Sequence, residues 1–139
     1  MMGFTGTLAG VLMCVAALAA AQPPIKVIAH SSVQVSHVSS EELKGVFLET
    51  RTSLADVHVV PVLLRGGVVH DAFVRQHTGK TTAALENYYR SLVFTGKGAM
   101  PKMLASDAEM VAYVRITRGA IGYVSAESST VGVKVLEVD

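Results

Sequence analysis

Apolar and polar residues follow two different periods along the chain, and the alternation between these periods predicts strands that alternate with helices. Apolar runs of strand length are found at 25–29, 57–64, 121–124 and 133–138. Between these runs, apolar residues recur at three- and four-residue spacing, as at Leu43, Val46 and Phe47, which is typical of a helix with one buried face. Strands and helices in alternation favour an α/β fold, and we expect a central sheet of about four or five strands flanked by helices.

Residues that can cap a helix mark the expected helix starts. The segments Ser39–Glu42 and Ser106–Glu109 both fit a capping box, in which the serine accepts the third backbone N–H and the glutamate accepts the N–H of the serine. Either Thr81 or Thr82 can cap a third helix. The polar and apolar positions of Asp71–His77 predict a short helix before it.

The run at 57–64 leads into the segment that is best suited to contact a ligand. Pro61 interrupts this strand and cannot donate to a ladder, so we expect the strand to lie at an edge of the sheet or to be bulged. Arg65, Gly66 and Gly67 then form a turn before the next helix. Free N–H groups and the dipole at a helix start favour an anion, and an arginine adds charged donors. A plain turn is the alternative interpretation.

The beginning of the chain predicts export. Residues 1–21 are apolar, carry no charged side chain and end in three alanines, which is typical of a signal peptide cleaved after Ala21. The chain would then mature into one domain at 22–139, located in the periplasm. Since no Lys or Arg precedes the apolar run, an uncleaved N-terminal anchor remains an alternative.

Composition excludes several classes of function. The net charge is +1 with no clustered basic stretch along the sequence, which argues against a nucleic-acid binder. The five histidines form no recognised metal motif, and Cys14, which lies in the predicted signal peptide, is the only cysteine. The sequence Gly79-Lys80-Thr81 lacks the earlier glycine of a phosphate-binding P-loop. With no nucleophile or paired carboxylates at usable spacing either, we expect no enzyme, no cofactor and no metal.

Several segments taken together resemble the phosphate-type substrate-binding proteins of ABC transporters, in particular their short periplasmic relatives. These segments are Ser39–Leu48, Val60–Val62, Arg65 with Phe73, and Arg118–Val124, which ends in the specific block GAIGYV. The resemblance covers about residues 25–138. Full-length members of that family clamp a ligand between two α/β lobes, so the resemblance implies one lobe of a type 2 periplasmic-binding-protein fold.

The resemblance implies a phosphate-like ligand, but the residues depart from the family pattern. Where the family has Ser-Gly-Thr at the helix start, this sequence has Val69, His70 and Asp71, so the hydroxyls that hold the oxyanion are missing. By match to the family only Arg65 is carried over as a ligand residue. The full set of candidate ligand residues is Arg65, Gly66, Gly67, His70, Ser31 and Ser32, where the two serines follow the first strand and are expected at the carboxyl edge of the sheet.

Two hypotheses follow. The first is a non-catalytic solute-binding-like module that binds an inorganic anion or another small solute weakly. The second is a ligand-free accessory protein that keeps the lobe fold but not the cleft and contacts a membrane transporter or a periplasmic protein. Either protein is expected to be a monomer or a homodimer.

Overall fold

The structure is a computed structural model that describes residues 23–139. The predicted signal peptide at 1–21 lies outside the described residues. The helices are α1 (Ser40–Phe47), α2 (Val68–Thr78), α3 (Thr82–Phe94) and α4 (Asp107–Ile116). The strands are β1 (Ile25–Ala29), β2 (His37–Val38), β3 (Ser53–Leu54), β4 (Val57–His58), β5 (Val60–Leu64), β6 (Lys102–Leu104), β7 (Ala120–Ser125) and β8 (Lys134–Val138). None of the helices within this part of the chain is long and apolar enough to cross a bilayer.

Six of these strands form one mixed sheet in the order β2-β8-β1-β7-β5-β6, and β3 and β4 form a separate hairpin. Strand β5 pairs in parallel with β6 and β7, whereas β1 is antiparallel to both of its neighbours, β7 and β8. Strand β1 therefore runs opposite to the other five. We call the edge at which β5, β6 and β7 end the carboxyl edge and the edge at which they begin the amino edge.

Helices cover both faces of the sheet. Successive residues of a strand point to opposite faces. On β7, Tyr123 packs against Phe73 of α2, with ring centroids 3.8 Å apart. A Cβ on the neighbouring Gly122 would lie 2.6 Å from the sulfur of Met110, which belongs to α4. Helices α2 and α4 thus lie on opposite faces, and α1 and α3 pack beside α2. The predicted α/β class is confirmed, with six strands in the sheet rather than four or five.

The prediction that the proline-containing strand lies at an edge is wrong, because β5 lies between β7 and β6. The N–H of Val60 donates to the carbonyl of Gly119, 2.9 Å away, on the β7 side. The nitrogen of Pro61 therefore points to the β6 side, since direction alternates along a strand. The ladder with β6 begins only at Val62, so no partner is lost at Pro61.

Capping side chains explain where three of the helices start. The capping box at Ser39 is formed as predicted. The hydroxyl of Ser106 accepts the N–H of Glu109 at 3.2 Å, but the carboxylate of Glu109 accepts the N–H of Ala105 rather than that of Ser106. Of the two threonines considered for α3, Thr81 is the cap.

Candidate anion-binding site

The segment Arg65–Gly67 forms the turn that was expected at the end of β5. The N–H of Arg65 donates to the carbonyl of Leu104 at 2.9 Å, which holds the turn beside the end of β6. Gly67 has a φ of +99° and a ψ of 172°, a conformation that essentially only glycine adopts. All three residues of the turn are exposed, so the predicted ligand residues Arg65, Gly66 and Gly67 do lie together at the surface of the carboxyl edge.

Helix α2 follows this turn and begins at Val68, three residues before the predicted start at Asp71. The sequence gives no sign of this start because Gly67 is the N-cap and offers no side chain. The starts of α1 and α4, at the same edge, are capped by Ser39 and Ser106. The first N–H groups of α2 therefore lack the side-chain acceptor that those of its neighbours have, and they are available to an external acceptor.

His70 lies beneath the turn rather than on its surface. Its side chain is buried, and its Nδ1 contacts the hydroxyl of Tyr123. The same hydroxyl accepts the N–H of Leu64 at 3.0 Å. Burial lowers the pKa of His70, although the charges of Asp71 and Glu86 act in the opposite direction. His70 is thus a neutral core residue that joins α2 to the sheet, and it presents no charge to a ligand.

Asp71 places a carboxylate in the first turn of α2, close to the candidate site. Its Oδ1 accepts the hydroxyl of Thr82 at 2.7 Å, which ties the start of α3 to the start of α2. A negative charge stabilises the start of a helix, but it also repels an anion that approaches the same N–H groups.

The predicted position of Ser31 and Ser32 is wrong. Because β1 runs opposite to the other strands, its carboxyl end lies at the amino edge, far from the turn that contains Arg65. There the Ser32 hydroxyl accepts the N–H of Gly119 at 3.0 Å and contacts Nδ1 of His30 at 2.8 Å. The structure therefore does not bring the two serines together with Arg65.

Acidic residues crowd the carboxyl edge, which was not apparent from the sequence. They occupy the first turns of α1, α2 and α4 and the ends of β7 and β8. They are Glu41, Glu42, Asp71, Asp107, Glu109, Glu127, Glu137 and Asp139. The basic residues on the strand ends at this edge are Lys26 and Arg65. The ammonium group of Lys26 already donates a hydrogen bond to the carbonyl of Ser128, 2.8 Å away. The potential around Arg65 is therefore shaped mainly by carboxylates.

The described residues offer no cluster that would suit a metal ion. Within 23–139, no group of three or more His, Cys, Asp or Glu side chains is placed to hold one. The histidines at positions 30 and 70 are instead engaged with a serine and a tyrosine hydroxyl.

No protein-family model matches the sequence. No curated protein matches it either. Solved structures do match its fold. They include a protein from Clostridium perfringens assigned as a phosphate ABC transporter substrate-binding protein, with bound phosphate, at a TM-score of 0.66 and 20% identity. An ABC-type phosphate transport receptor from Vibrio cholerae matches at a TM-score of 0.56 and 16% identity. PstS from Borrelia burgdorferi matches at a TM-score of 0.55 and 11% identity.

These matches cover 84% of this chain but only 45%, 46% and 47% of the respective solved chains, so it spans about half their length. The architecture is that of one lobe of a periplasmic-binding-protein fold, and the resemblance predicted from the sequence is confirmed at the level of the fold. At these identities the likeness concerns the fold alone.

Proposed function

We propose that this chain is an exported, non-catalytic, solute-binding-like module that binds a small oxyanion weakly at the Arg65–Gly67 turn. The observation that carries the proposal is the start of α2, which has no capping side chain and lies three residues after the exposed Arg65. Backbone N–H groups at a helix start and a guanidinium are both donors that suit phosphate or sulfate. Proteins of the same fold are described as phosphate transport receptors and substrate-binding proteins, which supports this class of ligand.

Three features support weak rather than tight binding. Asp71 and the other carboxylates of the carboxyl edge oppose an incoming anion. Val69 and the buried His70 offer no hydroxyl group to it. In addition, 23–139 form one lobe, so nothing within these residues closes over the turn from the other side. We expect a Kd in the millimolar range.

The melting temperature in phosphate, sulfate, molybdate and small carboxylates, at fixed ionic strength, tests this proposal. An anion present at ten times its Kd adds about 1.4 kcal/mol to the free energy of unfolding, which is a shift of several degrees in the melting temperature.

Arg65→Gln should abolish that shift. Arg75→Gln removes the same charge near the other end of α2 and should leave the shift unchanged. Asp71→Asn should lower the melting temperature without anion and enlarge the shift with it. If no anion raises the melting temperature of any of these proteins, the proposed binding function is wrong.

A ligand-free accessory protein is the second candidate, and the crowding of carboxylates at the carboxyl edge favours it. That surface would then contact a membrane transporter or another periplasmic protein through basic side chains of the partner. Absence of an anion effect, together with recovery of one partner that dissociates at high salt, would support this function.

Export and processing are part of the proposal and need their own measurement. We infer that the chain is carried to the periplasm by residues 1–21 and is cleaved after Ala21. The intact mass of the protein recovered from the periplasmic fraction tests this: loss of 21 residues is expected, and a full-length membrane-bound product would indicate an anchor. Size-exclusion chromatography with light scattering would distinguish a monomer from a homodimer.

A further inference from the structure

Two cavities lie side by side at the amino edge, opposite the Arg65–Gly67 turn. One has a volume of about 340 Å³ and is bordered by Ser32, Asp56, His58 and Arg118. The other has a volume of about 210 Å³, and Lys97 belongs to its lining. His58 lines both cavities, so they adjoin each other. We call the two cavities together the amino-edge groove.

The backbone of the groove is firmly held. Gly119 has a φ of +74°, and a Cβ at this position would lie 2.2 Å from the carbonyl oxygen of His58. Its N–H donates to the Ser32 hydroxyl at 3.0 Å, and its carbonyl accepts the N–H of Val60 at 2.9 Å. The β3–β4 hairpin is thereby fixed against the start of β7. A ligand would meet a formed surface and would not have to order it.

The charged side chains of the groove are mainly basic. Arg51, Lys97 and Arg118 line it and are exposed. Of these, Arg51 lies 3.7 Å from a carboxylate oxygen of Glu42, whereas Lys97 and Arg118 form no ion pair within the part of the chain that the structure describes.

Two carboxylates also line the groove, and they differ in their surroundings. Asp56 is exposed in the turn of the hairpin. Glu49 has its Oε2 buried, 2.7 Å from where a Cβ of Gly98 would stand. Burial raises the pKa of Glu49.

The wider charge distribution adds to the positive potential of the groove. Lys102 and Lys134 begin β6 and β8 at the same edge, while most carboxylates lie at the far end of the strands. A molecule with a net charge of only +1 is thus polarised along the strand direction. The amino edge is therefore the more positive end of the molecule.

From the groove and this polarity we propose that the amino-edge groove binds an acidic segment of a partner protein. An extended segment fits better than a small enclosed ligand because the charged side chains of the lining are exposed, and two cavities in a row allow several carboxylates to be engaged. Arg118 and Lys97, at either side of His58, would each bind one carboxylate. This site lies at the other edge from the anion site proposed above, so either proposal can fail alone.

Fluorescence anisotropy with a labelled decapeptide of alternating Glu and Gly tests the proposal, with a Gln-Gly decapeptide as the neutral probe. We expect the acidic peptide to bind at 50 mM salt and the neutral one not to bind. The double variant Lys97→Gln/Arg118→Gln should weaken binding at least tenfold. The charge-matched variant Lys44→Gln/Arg75→Gln, on exposed faces of α1 and α2, should change binding less than twofold.

Several results would overturn the proposal. Equal weakening in both double variants would mean that only the net charge matters. No binding of the acidic peptide at 50 mM salt would exclude the groove as a docking site. If free succinate competes fully at the same concentration as the peptide, a small carboxylate is the ligand. If the protein binds vesicles that contain phosphatidylglycerol but does not bind the peptide, the groove contacts a lipid surface.

Discussion

The hydroxyl of Tyr123 joins three elements that meet beneath the Arg65–Gly67 turn. It accepts the N–H of Leu64 at the end of β5, and its own proton is then free for Nδ1 of His70 in α2. This network implies a neutral imidazole with its proton on Nε2. Burial raises the pKa of Tyr123 and lowers that of His70, so neither group is charged near neutral pH.

We predict that Tyr123→Phe lowers the free energy of unfolding by about 1–3 kcal/mol, because a buried N–H and a buried ring nitrogen lose their partner. Urea denaturation measures this loss. Tyr113→Phe is the matched control, since Tyr113 is only half buried and packs near Lys102. Equal losses in the two variants would show that the Tyr123 hydroxyl has no special structural role.

Glu49 is a half-buried residue with one buried carboxylate oxygen, and its effect on stability depends on pH. It has a φ of 58°, and its Oε2 has no hydrogen-bond partner among the described residues. Burial raises its pKa, while the N–H of Ala99 acts in the other direction. Because the folded state binds this proton more tightly than the unfolded state, the contribution of Glu49 to stability is complete below the unfolded pKa. It is lost as the pH rises through the folded pKa.

We therefore predict that Glu49→Gln melts at a higher temperature than the original protein at pH 7.5, with the difference shrinking as the pH approaches 4. Scanning calorimetry across this range provides the measurement. Glu127→Gln, at an exposed position, should show no such trend. A variant that melts lower at pH 7.5 would mean that the ionised carboxylate is stabilising.

At the level of single residues, the sequence predicts what local chemistry determines. The positions of Arg65 and the two glycines after it follow from a strand that ends where a helix begins. The burial of His70 does not follow, because it depends on Tyr123, which is 53 residues away. The position of Ser32 depends on the direction of β1, which apolar periodicity does not reveal.

The connection between α4 and β7 explains why the GAIGYV block is informative about the fold. Gly119 lies against the backbone of His58, and Gly122 against Met110. Tyr123 then reaches the start of α2 from the opposite face. The block is therefore a set of packing positions where the sheet meets the helices on both of its faces.

Gly79 and Gly119 have similar φ values, so an alanine at each position distinguishes the cost of backbone strain from the cost of a steric clash. Gly79, at the end of α2, has a φ of +70° and open space where an added Cβ would stand, whereas Gly119 has both a positive φ and the close His58 carbonyl. We predict that Gly79→Ala costs about 1 kcal/mol and Gly119→Ala about 3 kcal/mol or more. Urea denaturation of both variants checks this, and equal costs would contradict the close approach.

Elements with a strong apolar period were predictable, and short ones were not. Strand β1 and the starts of α1, α3 and α4 agree with the expected positions because caps and β-branched runs are local signals. Strands β2 and β6 contain two and three residues, too few to show a period of two. Their place in the sheet is decided by pairing with β8 and β5.

The whole molecule separates its charges although the sequence intersperses them. Each strand-to-helix connection at the carboxyl edge places acidic residues in the first turn of a helix, where the helix dipole favours them. At the opposite edge, basic residues begin β6 and β8. A chain whose acidic and basic residues are interspersed along the sequence therefore folds into a molecule with an acidic and a basic end.

This separation predicts that the protein is retained at low salt on both anion- and cation-exchange matrices at pH 7.5. Lys97→Gln/Arg118→Gln should lose retention on the cation exchanger alone. Lys26→Gln/Arg65→Gln has the same net charge but changes the other edge, so it should keep that retention. If both double variants elute alike, retention follows net charge and the two ends are not electrostatically distinct.

The antiparallel course of β1 decides where the preceding residues attach. The carbonyl of Pro24 accepts the N–H of Ala126 at 3.0 Å, so the chain enters the sheet at the carboxyl edge, beside the Arg65–Gly67 turn. If residues 1–22 stay in a bilayer as a tether, the domain hangs from its acidic end, which anionic headgroups would repel. The domain would then be held away from the membrane surface. Its basic end would face the aqueous side, where a partner could reach it.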